Sequence, residues 1–182
     1  SDRCIMQEYA TREADVVCFN RGYGPAWHVR ASGSDFSAGA LLLDAGTRLT
    51  PRAMVVAAAA DVADILVAAR PRVAIIGTGD ELAAPGEAYQ REDAIPESVT
   101  FGAAAMVQQA GAALVYRATG IDQLPALEAL AAAALDMADL VIVTGGASVG
   151  ARDFAKPMFA AHGLELLFAK VAIKPGKPVW LG

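Results

Sequence analysis

Two cysteines, Cys4 and Cys18, and two histidines, His28 and His162, are the only thiol and imidazole groups in 182 residues. Neither pair has metal-ligand spacing, and two cysteines are too few for a disulfide framework. A thiolate metal centre is thereby excluded, and a reducing, cytoplasmic setting is the expectation. Charge is scarce too: 19% of residues are charged and the net charge is −5. That balance excludes a broad polyanion-binding surface, so no nucleic-acid partner is expected, while a local anion pocket remains compatible with it. No apolar stretch is long and uninterrupted enough for a membrane. Asp61 and Asp64 break the alanine-rich run 53–69, and Glu128 and Asp136 break 126–138. Charged and polar residues recur through the first fifteen positions, so no secretory signal opens the chain.

What is present is apolar. Hydrophobic residues make up 55% of the chain, enough for a sizeable core and too many for extended disorder. The chain opens at Ser1 without an initiator Met and stops at Trp180-Leu181-Gly182, directly after a strand-like run, which reads as a fragment of a longer protein.

Residues 1–36 read as short strands and turns, with Val16–Phe19 and Trp27–Arg30 separated by the turn-rich Asn20–Pro25. Thr50-Pro51 supplies an N-cap and a first-turn proline for a helix over about 51–68, and Arg70-Pro71-Arg72 marks a boundary. The chain therefore divides into a partial N-terminal and linking region, 1–70, and an α/β domain, 71–182. In the second part elements alternate: strand 73–77, helix 98–110, strand 113–118, helix 123–137, strand 140–144, helix 154–162, and a strand or strand pair over 164–173. Unbroken apolar strands alternating with helices predict a three-layer α/β/α sandwich with a mostly parallel sheet. Ligands in such sheets bind outside the carboxyl ends of the strands.

At the first such end stand Thr78, Gly79, Asp80 and Glu81. Glycine permits close backbone approach. The adjacent acids would repel a phosphate unless a cation such as Mg²⁺ lay between, and otherwise Asp80 caps the turn and Glu81 is solvated. The polar stretch from Ala83 to Glu97 reads as a structureless loop, either a lid or simply mobile. After the strand 140–144 come Gly145, Gly146, Ser148 and Gly150, then Asp153. Glycine-freed amides and a hydroxyl suit an anion, although the pattern is neither a Walker loop nor a dinucleotide fingerprint. Asp153 serves equally as the N-cap of the following helix. Asp122 ends a third strand-to-helix turn, within plausible reach of Glu81 and Asp153, so that three acids could converge on one cation. Lys170, Lys174 and Lys177 surround a proline-glycine turn that suits an oxyanion or is a solvated hairpin tip. His162, before Gly163, reads as a helix C-terminal residue.

In this order Gly79-Asp80-Glu81-Leu82, Gly145-Gly146-x-Ser148-Val149-Gly150-x-x-Asp153 and Lys174-Pro175-Gly176-Lys177-Pro178 resemble the molybdopterin molybdenumtransferases, the MoeA and gephyrin E-domain family. Met6-Gln7-Glu8, Arg30–Phe36 and Gly46-Thr47-x-Leu49 extend the resemblance upstream. It implies insertion of molybdate into adenylylated molybdopterin with Mg²⁺-dependent release of AMP, and a homodimeric parent protein. Carried onto matching positions, Glu81, Asp122 and Asp153 become the metal and nucleotide acids. Thr78, Gly79, Asp80, Gly145, Gly146, Ser148 and Gly150 become the pterin–pyrophosphate loops. Lys170, Lys174 and Lys177 face the oxyanion, and Asp35 is a further acid. Glu97-Ser98-Val99 departs from the family's usual Asp-Ser-Asn. Because the family completes its site across a dimer with regions this chain lacks, the resemblance implies little transferase activity here. The competing readings are the adenylyltransferase of the same pathway and a non-catalytic, gephyrin-like scaffold.

Overall fold

The short extended runs at the start of the chain pair with each other in a computed structural model that describes residues 3–20, 28–146 and 153–182. The chain divides into two units, Ser1–Leu66 and Val67–Gly182. In the first, a 3-10 turn at Gln7–Tyr9 leads into strands β1 (Ala10–Glu13) and β2 (Val16–Phe19), paired antiparallel from Ala10–Phe19 to Glu13–Val16. The expected strand 27–30 is not formed over its described residues 28–30. Helix α1 (Pro51–Ala59) starts as its sequence dictates, with the Thr50 hydroxyl accepting the Ala53 N–H at 3.3 Å. It stops well short of 68. Asp61 adopts φ 59°, its N–H bonds to the Ala58 carbonyl, and the Val62 N–H reaches back to Ala57. This αL closure satisfies the last carbonyls and turns the chain out of the helix, which apolar composition alone does not reveal.

The second unit is built around β3 (Arg72–Thr78), where Val73 to Ile76 are at most 2% exposed. A two-residue pair, β4 (Leu82–Ala83) with β5 (Ile95–Pro96), follows it, and then come α2 (Val99–Gln109), β6 (Ala113–Gly120), α3 (Leu124–Met137) and β7 (Leu140–Thr144). Strands β6 and β7 flank β3 in parallel, giving the order β6-β3-β7. Alternation along β3 assigns its two faces. Val73 and Ile75 pack with Val107, Ala103 and Ala104 of α2; Ala74 and Ile76 pack with Leu127, Ala131 and Ala134 of α3 and with Met158 and Phe159. A parallel sheet with helices on both faces is the three-layer α/β architecture expected from the strand and helix alternation.

Three local expectations differ. A helix over 154–162 is replaced by a 3-10 turn, Pro157–His162, which starts only at Pro157, a residue suited to a first-turn position, and is ended by Gly163 at φ 76°. No strand forms over 164–173: Leu167 and Phe168 donate to the Leu181 carbonyl and make one isolated bridge, Phe168–Leu181. An apolar run signals burial without supplying a partner strand. Nor is 83–97 structureless. Ile95 N–H bonds to the Glu81 carbonyl and Glu97 N–H to the Ala83 carbonyl, both at 2.8 Å, and a 3-10 turn occupies Ala88–Gln90.

At the amino edge of the sheet Asp139 ties β7 to β3. Its carboxylate accepts the Arg72 N–H at 2.8 Å and the guanidinium at 2.7 and 3.3 Å, while its own N–H bonds to the Arg72 carbonyl. Hydrogen bonds from the Arg72 side chain, and then from its backbone, hold the Asp139 carboxyl below its ordinary range, and the same contacts raise the guanidinium. A carboxyl with a lowered folded-state pKa stabilises the fold above its unfolded value, about 3.9, and that contribution fades as pH falls through the folded value. Asp139→Asn is therefore expected to unfold at lower urea than the parent at about pH 6, with the difference closing toward about pH 2. Since both side chains are half exposed, the difference is small and shrinks in salt.

Candidate functional site

The three parallel strands end together, and their exits are held against one another by backbone contacts and by the Asp80 side chain. Gly145, which follows β7, has φ +92°, and a Cβ there would lie 2.2 Å from the Thr78 carbonyl oxygen at the end of β3. On the other flank the Gly79 N–H bonds to the Gly120 carbonyl at 3.2 Å, and Asp80 Oδ1 accepts the Asp122 N–H at 2.8 Å. Gly146, at φ +57°, sits against Ala155 and the Asp153 carboxylate, where a Cβ would come within 2.8 and 3.2 Å. The absent side chain at Gly145 thus lets the loop after β7 close on the end of β3, and hydrogen bonds hold the loop after β6 beside them.

Acids gather on that edge. The Glu81 carboxylate folds back over Gly79, 2.6 Å from where a Cβ would stand. Asp153 Oδ1 accepts the Ala155 N–H at 3.4 Å, two residues on, so it closes a turn instead of capping the expected helix. Asp80 and Asp122 are joined as described. Among the described residues, however, no group of three or more His, Cys, Asp or Glu is placed as a metal cage. This donor set fits a hard cation shared between one or two carboxylates and the oxygens of a phosphorylated ligand, the usual Mg²⁺ arrangement, better than a site made of protein alone. Ser148 and Gly150 lie outside the described residues. Asp35 belongs to the first unit, where Arg30 engages its carboxylate.

Lys170, Lys174 and Lys177 are all exposed, and among the described residues none is in a salt bridge. The Lys177 carbonyl accepts the N–H groups of Val171 and Val179, closing the turn that carries Lys174 and Lys177. Their charge is thus uncommitted and held on a closed turn.

The sequence marks Glu97 only as a departure from the family motif and does not single out Thr100, Phe101 and Arg117. The Glu97 side chain is only 5% exposed; it accepts the Thr100 N–H at 2.8 Å and the Thr100 hydroxyl at 2.5 Å, with Arg117 Nη1 at 3.5 Å. The Arg117 guanidinium lies 3.7 Å from the centre of the Phe101 ring. Glu97, Phe101 and Arg117 border a cavity of about 290 Å³ that also touches Gly79, Thr119 and Gly120. In sequence the one signal is an acid three residues before Thr100, which reads as helix capping. A larger cavity, about 780 Å³, runs beside β7 and reaches the glycine-rich edge only through Gly145. Size alone does not mark the site.

A parallel α/β sandwich whose strand exits combine glycines and acids is, by class, a binding domain for a phosphorylated small molecule. The family described as "Probable molybdopterin binding domain" matches residues 74–182, the greater part of the chain, which therefore belongs to it. Residues 1–60 match the MoeA N-terminal region (domain I and II). The chain is 39% identical over 175 residues to molybdopterin molybdenumtransferase 2 of Mycobacterium tuberculosis (strain CDC 1551 / Oshkosh), covering 92% of this chain and 42% of that protein. Against the molybdopterin molybdenumtransferase of Nostoc sp. it is 34% identical, covering 98% and 41%. The crystal structure of the molybdopterin biosynthesis moea protein from Pyrococcus horikosii superposes with a TM-score of 0.73 at 27% identity, over 98% of this chain and 44% of that one. The chain thus spans less than half the length of the relatives it matches.

The close approach at Gly145 generates a stability test. Gly145→Ala combines a left-handed backbone with a strike on a carbonyl and is expected to cost about 2–4 kcal/mol in urea denaturation. Gly102→Ala, in a helix with open space around it, is expected to stabilise by about 0.5–1 kcal/mol. Equal stabilities for the two variants would show that the loops after β3 and β7 do not meet as described.

Proposed function

We propose that residues 71–182 bind adenylylated molybdopterin, residues 1–70 linking this domain to its neighbours, and that the whole protein inserts molybdate into the pterin dithiolene with release of AMP. The observation that carries this is the closed edge at Thr78–Glu81, Gly120–Asp122 and Gly145–Gly146, where backbone can approach a pyrophosphate without side-chain interference. Thr78, Gly79, Asp80, Gly145 and Gly146, with Ser148 and Gly150 by their place in the motif, are the binding loops. Lys170, Lys174 and Lys177 hold the oxyanions: exposed amines on a closed turn attract molybdate or phosphate, and fixing it against the loops converts an encounter into a positioned pair. Glu81, Asp122 and Asp153 would hold Mg²⁺ together with ligand oxygens, one or two of them at a time. Bound there, the cation offsets charge as the phosphoanhydride opens.

The N-terminal match, the molybdenumtransferase names of the relatives and the lysine turn all favour this over an adenylyltransferase. The acids and lysines favour catalysis in the parent protein over a purely structural scaffold. We place the parent in the cytoplasm as a homodimer that completes the site. Among the described residues no helix is long and apolar enough to cross a membrane.

Calorimetric titration of the chain with AMP provides the test. Binding is expected to tighten at least severalfold with Mg²⁺, and Glu81→Gln with Asp153→Asn is expected to remove that gain while sparing cation-free binding. Binding indifferent to Mg²⁺ would contradict the role given to the acids, and no binding to AMP or molybdopterin would overturn the reading.

A further inference from the structure

The cavity of about 290 Å³ beside Gly79 has a character different from the glycine-rich edge it adjoins. Pro85, Ala84 and Leu82 form one side of its lining, and Phe101 and Ile121, 45% and 49% exposed, add apolar surface open to solvent. The strongest polar group of the remaining lining, which also includes Gly79, Glu97 and residues 118–120 of β6, is Arg117. Its Nη1 is committed to the Thr100 hydroxyl at 3.1 Å and to Glu97, while Phe101 supports the guanidinium plane. A guanidinium carries five N–H donors, so the Nε and Nη2 donors stay available along one edge of a plane that cannot tilt freely.

Charge decides what such a wall recognises. Glu97 neutralises Arg117 at short range, and Asp80 and Glu81 stand on the adjoining loop, so the cavity does not attract a phosphate on its own. A neutral planar ring suits it: apolar and stacking surface for the face, a fork of N–H donors for ring carbonyl and nitrogen acceptors. The volume is near the lower end for small-molecule sites, about 300 Å³, enough for part of a ligand whose remainder lies on the edge outside.

We propose that this cavity is the heterocycle subsite of the domain, with Arg117 as the ring-contacting donor and Glu97 as the positioning residue that holds it. The inference rests on the pterin-nucleotide reading above, a ligand class with two rings of the required chemistry, adenine and pterin.

Titrating the full chain with AMP, 6-hydroxymethylpterin and inorganic pyrophosphate, each with Mg²⁺, tests it. Arg117→Met keeps the aliphatic stem against Phe101 and is expected to weaken one ring ligand about tenfold while leaving pyrophosphate within twofold. Loss confined to AMP identifies the ring as adenine, and loss confined to the pterin identifies pterin. Glu97→Gln, which can still accept from Thr100, is expected to give a smaller loss for the same ligand, with thermal melting confirming a folded chain. If Arg117→Met does not fold, Phe101→Leu, which leaves the ion pair in place, carries the same expectation. Ring affinities unchanged in these variants, or all three ligands weakened alike, would overturn the proposal alone. No binding of any ligand by the unaltered chain would overturn the functional reading, and this proposal with it.

Discussion

Strand β3 is the only strand of its sheet with hydrogen-bonded neighbours on both sides, and it is covered on both faces. Every other part of the second unit takes its position from that fact. Its even-numbered core residues, Ala74 and Ile76, seat α3; its odd-numbered ones, Val73 and Ile75, seat α2. Since the flanking strands run parallel to it, all three carboxyl ends emerge on one side, and the loops that follow have to share a small space. Gly145 against Thr78, and Gly79 against Gly120, are how they share it. At Gly145 the chemistry of the edge follows from packing: backbone meets backbone because there is no Cβ to separate them.

The two edges of the sheet divide their tasks. At the amino edge a charged pair, Arg72 with Asp139, joins neighbouring strands through side-chain and backbone bonds at a solvated position. At the carboxyl edge the strand exits are joined by backbone approach and by the bond from the Asp122 N–H to the Asp80 carboxylate. The segment 82–97 connects this edge to the Arg117 wall. Arg91 donates to the Asp80 carbonyl, Ile95 to Glu81, and Glu97 to Ala83, so what reads as a polar loop is held to the site residue by residue.

Much of this was legible from sequence because it depends on local patterns. Val73–Gly77 and Leu140–Thr144 are unbroken apolar runs, as strands covered on both faces should be, and Thr50-Pro51 is a complete start signal for α1. The glycines at 79, 145 and 146 read as loops open to an anion; the geometry shows tight packing there, Gly145 against the Thr78 carbonyl and Gly146 against Ala155. What was not legible depends on partners. Helix α1 ends through an αL residue at Asp61, the 164–173 run makes one isolated bridge, Phe168–Leu181, in place of a strand, and the 154–162 segment forms only the 3-10 turn Pro157–His162. Glu97 and Arg117 are twenty residues apart in sequence, and their pairing arises only when α2 packs beside β6. Composition cannot show such a contact.

The central claim is that ligand binds at the shared carboxyl edge. Amide chemical-shift mapping of the isotope-labelled chain, on adding AMP with Mg²⁺, tests it most directly. The largest changes are expected at Gly77–Glu81, Gly120–Asp122 and Gly145–Gly146, with Arg72 and Asp139 at the opposite edge unmoved. Changes centred on the amino edge, or on the cavity beside β7 with the three glycine turns silent, would contradict it.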